Sequence, residues 1–152
     1  MVEKKWFYTD IVKEHFFNPR NILKTDKEAA EFAKNADGVG EVGSPVCGDV
    51  MKLWIKIKDD KIIDCKWQTF GCASAIASAS MMSEIVREND GMKVEDALKL
   101  TAQNIVKRLE GLPARKIHCS VLGHKALKAA LNDYFCKTGQ ADKVAKDEKH
   151  TC

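Results

Sequence analysis

From Val50 to Ile57 the chain alternates, with Met51, Leu53, Ile55 and Ile57 separated by Lys52, Trp54 and Lys56. A period of two predicts a β-strand with one buried face. Asp59-Asp60 predicts a tight turn. A return strand follows from about Ile62 to Phe70, with Ile63, Cys65 and Trp67 on one face. The two make an antiparallel hairpin covered by helices on one side. The Gly-rich stretch before it, DGVGEVGSPVCG, can add a third strand at the edge through GVGEVGSP.

Elsewhere the period is helical. Ile11, Val12, His15 and Phe16 recur at helical spacing between Thr9 and Phe17, and Asn18-Pro19 closes that segment. DKEAAEFAKNADG predicts a second short helix, N-capped by Asp26 and stopping near Gly38. CASAIASASMMSEIVREN reads as a helix of small residues that lets neighbouring backbones come close, ended by Gly91. KVEDALKL and AQNIVKRLEG are two short helices. A long amphipathic helix then runs from about Lys116 to Cys136, with Leu122, Ala126, Ala129, Ala130 and Tyr134 on one face. The expected fold is α+β, a small three-stranded antiparallel sheet packed against a layer of helices. Residues 1–137 are expected to form one domain. The polar residues 138–152 carry no hydrophobic stripe and are expected to be a mobile tail.

Composition changes this picture little. With 152 residues, 45% hydrophobic and 31% charged, the chain is long and apolar enough for a real core. The net charge of +3 is spread among interleaved acids and bases, which argues against a nucleic-acid surface. No apolar run approaches the ~20 residues of a membrane span. The N-terminal segment has no secretory h-region, and its acidic residues argue against a transit peptide, so a cytoplasmic location is expected. Six cysteines in such a chain are not expected to form a disulfide framework. They are packing thiols, nucleophiles or metal ligands.

Their settings sort them. Cys65 is mid-strand on the apolar face and reads as a small buried hydrophobe. Cys136 closes the last helix, where packing or partial exposure is expected, and Cys152 ends the tail as a spare thiol, with His150 two residues before it. Cys47, Cys72 and Cys119 each stand at an element boundary among small residues. Helix N-termini favour thiolate, the form that binds metal and attacks sulfur. The hairpin returns the chain, so Cys47 and Cys72 belong at the same end of the sheet. Asp49 follows Cys47 by two residues, and His118 precedes Cys119. Taken singly, Asp49 reads as a turn cap and His118 as a solvated helix-start residue. Together they add two metal-competent groups to three thiols, a set suited to zinc or an iron–sulfur cluster rather than calcium or magnesium. The absence of paired C-x-x-C knuckles favours an open site at one tip of the fold over a closed structural zinc site.

The blocks YTDIVKEHFFNPRN, GSPVCGDVMKLWIKI, QTFGCASAIASAS and LPARKIHCSVLGHKALKAA run in order from Tyr8 to Ala130. Here the chain closely resembles the IscU/NifU N-terminal family of iron–sulfur cluster assembly scaffolds. That resemblance implies that Cys47, Cys72 and Cys119 are the cluster-binding cysteines, with Asp49 and His118 beside them. It implies a carrier rather than an enzyme, on which a [2Fe-2S] cluster is built and then passed to apo acceptor proteins such as a ferredoxin. It further implies that a cysteine desulfurase supplies sulfur as persulfide, with Cys119 as the acceptor. One departure is LPARK, where Ala114 and Arg115 replace the middle of the family's usual L-P-P-V-K. It leaves docking of an Hsp70-type chaperone open, as the sequence also leaves open whether the chain forms a homodimer. The alternative is a zinc-dependent sulfur-transfer protein of the SufU type, in which zinc holds the same cysteines. The segment before Cys119 lacks that type's insertion, and His118 is present, so the scaffold is favoured. Zinc can still occupy the site in purified protein.

Overall fold

A computed structural model describes residues 8–44, 49–113 and 117–140, with backbone alone at 44, 118 and 119. The elements are helix α1 (Asp10–Phe17), helix α2 (Asp26–Ala33), strand β1 (Gly38–Ser44), strand β2 (Asp49–Lys58), strand β3 (Lys61–Phe70), helix α3 (Ala73–Arg87), strand β4 (Met92–Lys93), helix α4 (Val94–Ala97), helix α5 (Ala102–Arg108) and helix α6 (His118–Lys137). The strands pair antiparallel in the order β1-β2-β3-β4. The described sheet therefore has four strands where three were expected, the fourth being a two-residue pairing of Met92 and Lys93 with Ile62 and Lys61. The α+β class stands.

The hairpin turn is as the sequence implies. Asp59 and Asp60 have φ of 54° and 60°, the double left-handed conformation that matches the twist of two flanking strands. Met51, Leu53, Ile55, Cys65 and Trp67 are fully buried against the helices, each large side chain contributing about 1.5–3 kcal/mol of burial. Two positions differ from the alternation. Ile63 is 45% exposed, and Ile62 takes the buried place instead. The β2–β3 register slips between Lys56 and Ile57, so Ile57 faces Ile62 while Lys56 faces Asp64. The extra β3 residue at this bulge turns Ile63 outward. Trp54, expected on the open face, is also buried, packed with Leu23 and Ala29 under α2.

The helices start and stop on local chemistry. Thr9 caps α1 through its hydroxyl. Thr25, not Asp26, caps α2, and Asp26 falls in its first turn; α2 ends at Ala33, and Gly38 instead opens β1. Helix α6 stops at Lys137. Gly139 at φ 73° follows the helix, and the Gln140 N–H reaches the Phe135 carbonyl at 2.7 Å, the bond pattern of a glycine-terminated helix. Residues 141–152 lie outside the described residues. No described helix is long and apolar enough to cross a membrane.

Two contacts fix where the helices lie. A β-carbon on Gly40 would stand 2.6 Å from the Ala130 nitrogen and would overlap the Ala126 carbonyl, and one on Gly38 would overlap the Ala130 carbonyl. The backbone of α6 therefore rests directly on β1, which only glycine permits there. On the other flank, the serines of α3 hold the chain that follows α1. Ser80 Oγ accepts the Arg20 N–H at 2.8 Å, and Ser83 Oγ accepts from Asn21 Nδ2 at 2.9 Å. That segment closes part of the outer edge of β3, since Leu23 N–H donates to the Trp67 carbonyl at 2.9 Å and Trp67 Nε1 donates to the Arg20 carbonyl at 2.8 Å.

Candidate metal-binding site

Asp49 opens β2 and pairs with Ser44, the last residue of β1. Its neighbour Val50 pairs with Phe70, the last residue of β3. The exit from β3 therefore passes beside Asp49, and Gly71 and Cys72 follow at once. Asp49 is 6% exposed. Its Cγ lies 3.2 Å from where a β-carbon on Gly71 would stand. A buried carboxylate and the Cys72 turn are thus brought together by strand register alone.

Cys72 is the N-cap of α3. Its backbone is extended (φ −77°, ψ 175°), its side chain makes no capping bond, and no acidic residue stands in the first turn. Its carbonyl accepts the Ile76 N–H at 3.1 Å, the first bond of the helix. The helix therefore points its N-terminal end, with its positive dipole, toward this corner of the sheet, a setting that favours anionic ligands.

The start of α6 reaches the same end. Gly38 faces Ala130 and Gly40 faces Ala126, so α6 runs antiparallel to β1. From Ala126 back to His118 the helix covers about 12 Å at 1.5 Å per residue, and from Gly40 to Ser44 the strand covers about 13 Å. His118 and Cys119 consequently begin their helix level with the end of β1 and the start of β2. Asp49, Cys72 and the backbone of residues 118–119 share one end of the fold.

The side chains of His118 and Cys119, and all of Cys47, lie outside the described residues, as do Ala114 to Lys116 of the LPARK stretch. Among the described residues no group of three or more metal-competent side chains occurs. The described pair, Asp49 and Cys72, offers one oxygen and one sulfur, a mixed set suited to zinc or iron rather than calcium or magnesium. Phe70 and Val50, the cross-strand pair next to Asp49, are 84% and 38% exposed, and Ile117 is 43% exposed just before α6.

The remaining described cysteines stand apart from this corner. Cys65 is fully buried, and burial first, then the Asp64 charge, pushes its thiol up to about 12. It is a packing residue, as its strand position implied. Cys136 is disulfide-bonded, where a packing or partly exposed thiol was expected. Gly71 carries no local signal of a role within QTFGCASAIASAS, and its closeness to Asp49 exists only in the fold.

The fold and this corner define a class: an antiparallel α+β domain that gathers acidic and sulfur side chains where strands and helices meet. Residues 7–141 match the family described as NifU-like N terminal domain, and the chain belongs to that family. It is 49% identical over 137 residues to an Archaeoglobus fulgidus protein named iron-sulfur cluster assembly scaffold protein IscU 1, covering 90% of this chain and 82% of that one. It is 48% identical over 139 residues to a Drosophila melanogaster protein named iron-sulfur cluster assembly enzyme IscU, covering 91% and 83%. Its fold is similar to a crystal structure of a SUF-system scaffold protein, described there as putative, from Fervidobacterium islandicum. That match has a TM-score of 0.60 and 22% identity, covering 82% of this chain and 96% of that one.

Proposed function

We propose that this chain is a scaffold on which an iron–sulfur cluster is built from iron and sulfur and then handed to acceptor proteins. The observation that carries this reading is the buried Asp49 carboxylate against Gly71, the residue before Cys72 at the start of α3, at the end of the sheet where α6 also begins. The 49% identity to a protein named as such a scaffold supports it.

In this reading Cys47, Cys72 and Cys119 supply thiolates to a [2Fe-2S] cluster, and Asp49 supplies a carboxylate oxygen. His118 offers an imidazole that protonation can release. Iron in a sulfide cluster is held most firmly by thiolate, so an oxygen contact is the one an incoming acceptor thiolate displaces first. A scaffold needs that weakness, because a cluster held by four thiolates would stay.

Cys119 is the entry point for sulfur. Its thiolate attacks the terminal sulfur of a persulfide on a cysteine desulfurase, forming an S–S bond at Cys119. The donor's S–S bond breaks and its cysteine leaves as thiolate. Two electrons from a partner reductant then convert that sulfur to sulfide. The chain carries its cargo and turns over no substrate alone. The exposed Phe70 and Val50 flank the site where such partners would dock.

Zinc suits the same donors, and the zinc-bound sulfur-transfer protein is the alternative. Anaerobic reconstitution with ferrous iron, cysteine and a desulfurase separates them. The scaffold gives a coloured product with sulfide-to-iron charge-transfer bands, and an apo-ferredoxin takes up that cluster. A colourless product that retains one tightly bound zinc and accepts persulfide overturns the scaffold reading.

A further inference from the structure

Gly71 joins β3 to the N-cap of α3, and its φ is outside the left-handed region. Backbone conformation therefore places no demand for glycine here. Its surroundings do. A β-carbon at this position would stand 2.9 Å from the Ala75 β-carbon, 3.2 Å from the Asp49 Cγ and 3.3 Å from the Asp49 Oδ1. All three are closer than ordinary van der Waals contact. Ala75 is fully buried in the first turn of α3 and moves only with the helix. The Asp49 carboxylate, in contrast, swings about two side-chain torsions. The carboxylate yields by rotating, and Ala75 by a small shift of the first turn of α3.

We infer that Gly71 is a positioning residue, whose missing side chain lets the Asp49 carboxylate sit against the start of α3 next to Cys72. Glycine is thus a steric device here, setting where the oxygen donor stands relative to the sulfur donor. The consequence for metal binding rests on the reading of Asp49 as a ligand. The placement of the carboxylate does not, because it belongs to the metal-free chain.

The test has two arms. In metal-free protein, Gly71→Ala shifts the Asp49 side-chain carboxyl 13C resonance, while amide resonances in the middle of β2 and the last turns of α3 keep their positions. An unmoved Asp49 resonance overturns the inference, as does a shift spread evenly through β2 and α3. The variant Gly71→Ala with Ala75→Gly removes the helix clash and keeps the carboxylate clash. It therefore gives the same Asp49 shift should the single variant fail to fold. In the second arm, cobalt(II) is the probe. Gly71→Ala weakens its binding about tenfold, the scale of a lost supporting contact at a metal site, and moves its visible d–d bands. In an Asp49→Ala background the same substitution does neither. Equal effects in both backgrounds overturn the inference. If Asp49→Ala alone leaves the cobalt bands untouched, the ligand reading of Asp49 fails, and the carboxyl resonance still decides the positioning.

Discussion

His15 Nδ1 and Ser80 Oγ lie 2.7 Å apart where α1 packs on α3, and the same hydroxyl accepts the Arg20 N–H at 2.8 Å. With one lone pair engaged by that amide, the hydroxyl is placed to donate its proton to Nδ1, which suits a neutral ring. Burial is the main reason that His15 holds its proton less tightly than the ordinary 6.5, and the Arg20 charge adds to it, against smaller opposing effects of Glu84 and Glu14.

This makes stability pH-dependent in one direction. Below pH 6.5 the unfolded chain takes up the His15 proton before the folded chain does, so stability falls as pH drops from 6.5 toward the lower folded value. Above 6.5 this residue contributes no slope. The His15 ring proton resonances are expected to titrate with a midpoint below 6.5. His15→Gln is expected to flatten the fall in Tm between pH 7 and pH 5. A midpoint at or above 6.5 contradicts the assignment.

Gly40→Ala tests the contact between α6 and β1. The added carbon meets the backbone of Ala126 and Ala130, which cannot rotate away. Overpacking of this kind costs about 1–3 kcal/mol, or a fall in Tm of about 3–10 °C for a chain of this size. Gly43→Ala is the control, since its β-carbon would meet only the Asp49 carbonyl at an ordinary 3.6 Å. Thermal melts of the two variants that coincide would show that α6 does not rest on Gly40 as described.

Cys65 is expected to resist alkylation in the folded protein. A thiol pushed up to about 12 carries almost no thiolate at pH 8, and burial also denies access to the reagent. Peptide mapping after iodoacetamide treatment should find Cys65 modified only in denaturant. Labelling in the native state at a rate near that of Cys72 would refute this.

Asp49→Cys replaces the weakest proposed contact to iron with a fourth thiolate. The expected outcome is a longer-lived cluster and slower delivery to an apo-ferredoxin. A rise of about 1.4 kcal/mol in the release barrier corresponds to a tenfold slower transfer. Stopped-flow absorbance during transfer measures it, and a rate equal to wild type removes Asp49 from the release step.

Much of the fold is legible in the residues because its causes are local. The period-two run from Met51 to Ile55 names a strand face, Asp59-Asp60 names the turn, and Thr9 caps its helix where the pattern begins. The differences at Trp54 and Ile63 lie where neighbours distant in sequence decide. Trp54 is buried by Leu23 and Ala29, and no pattern within β2 announces them. Ile63 is turned out by a register slip that depends on both strands. Asp26 lost the cap to Thr25 because either residue can start a helix there. The candidate site divides in the same way. That Asp49 and Cys72 belong at one end follows from the hairpin, whereas the arrival of α6 there depends on how it packs.

By itself, the sequence determined which residues are chemically competent: thiols at element boundaries, an aspartate two residues after one and a histidine beside another. Side-chain chemistry and spacing are carried by each residue and its near neighbours, so they need no fold. Only the tertiary structure decided which of them meet. Strand register set Asp49 beside Gly71, and α6 runs back along β1 because Gly38 and Gly40 leave room for its backbone. Those are steric relations between residues far apart in the chain, and they exist only once it has closed on itself.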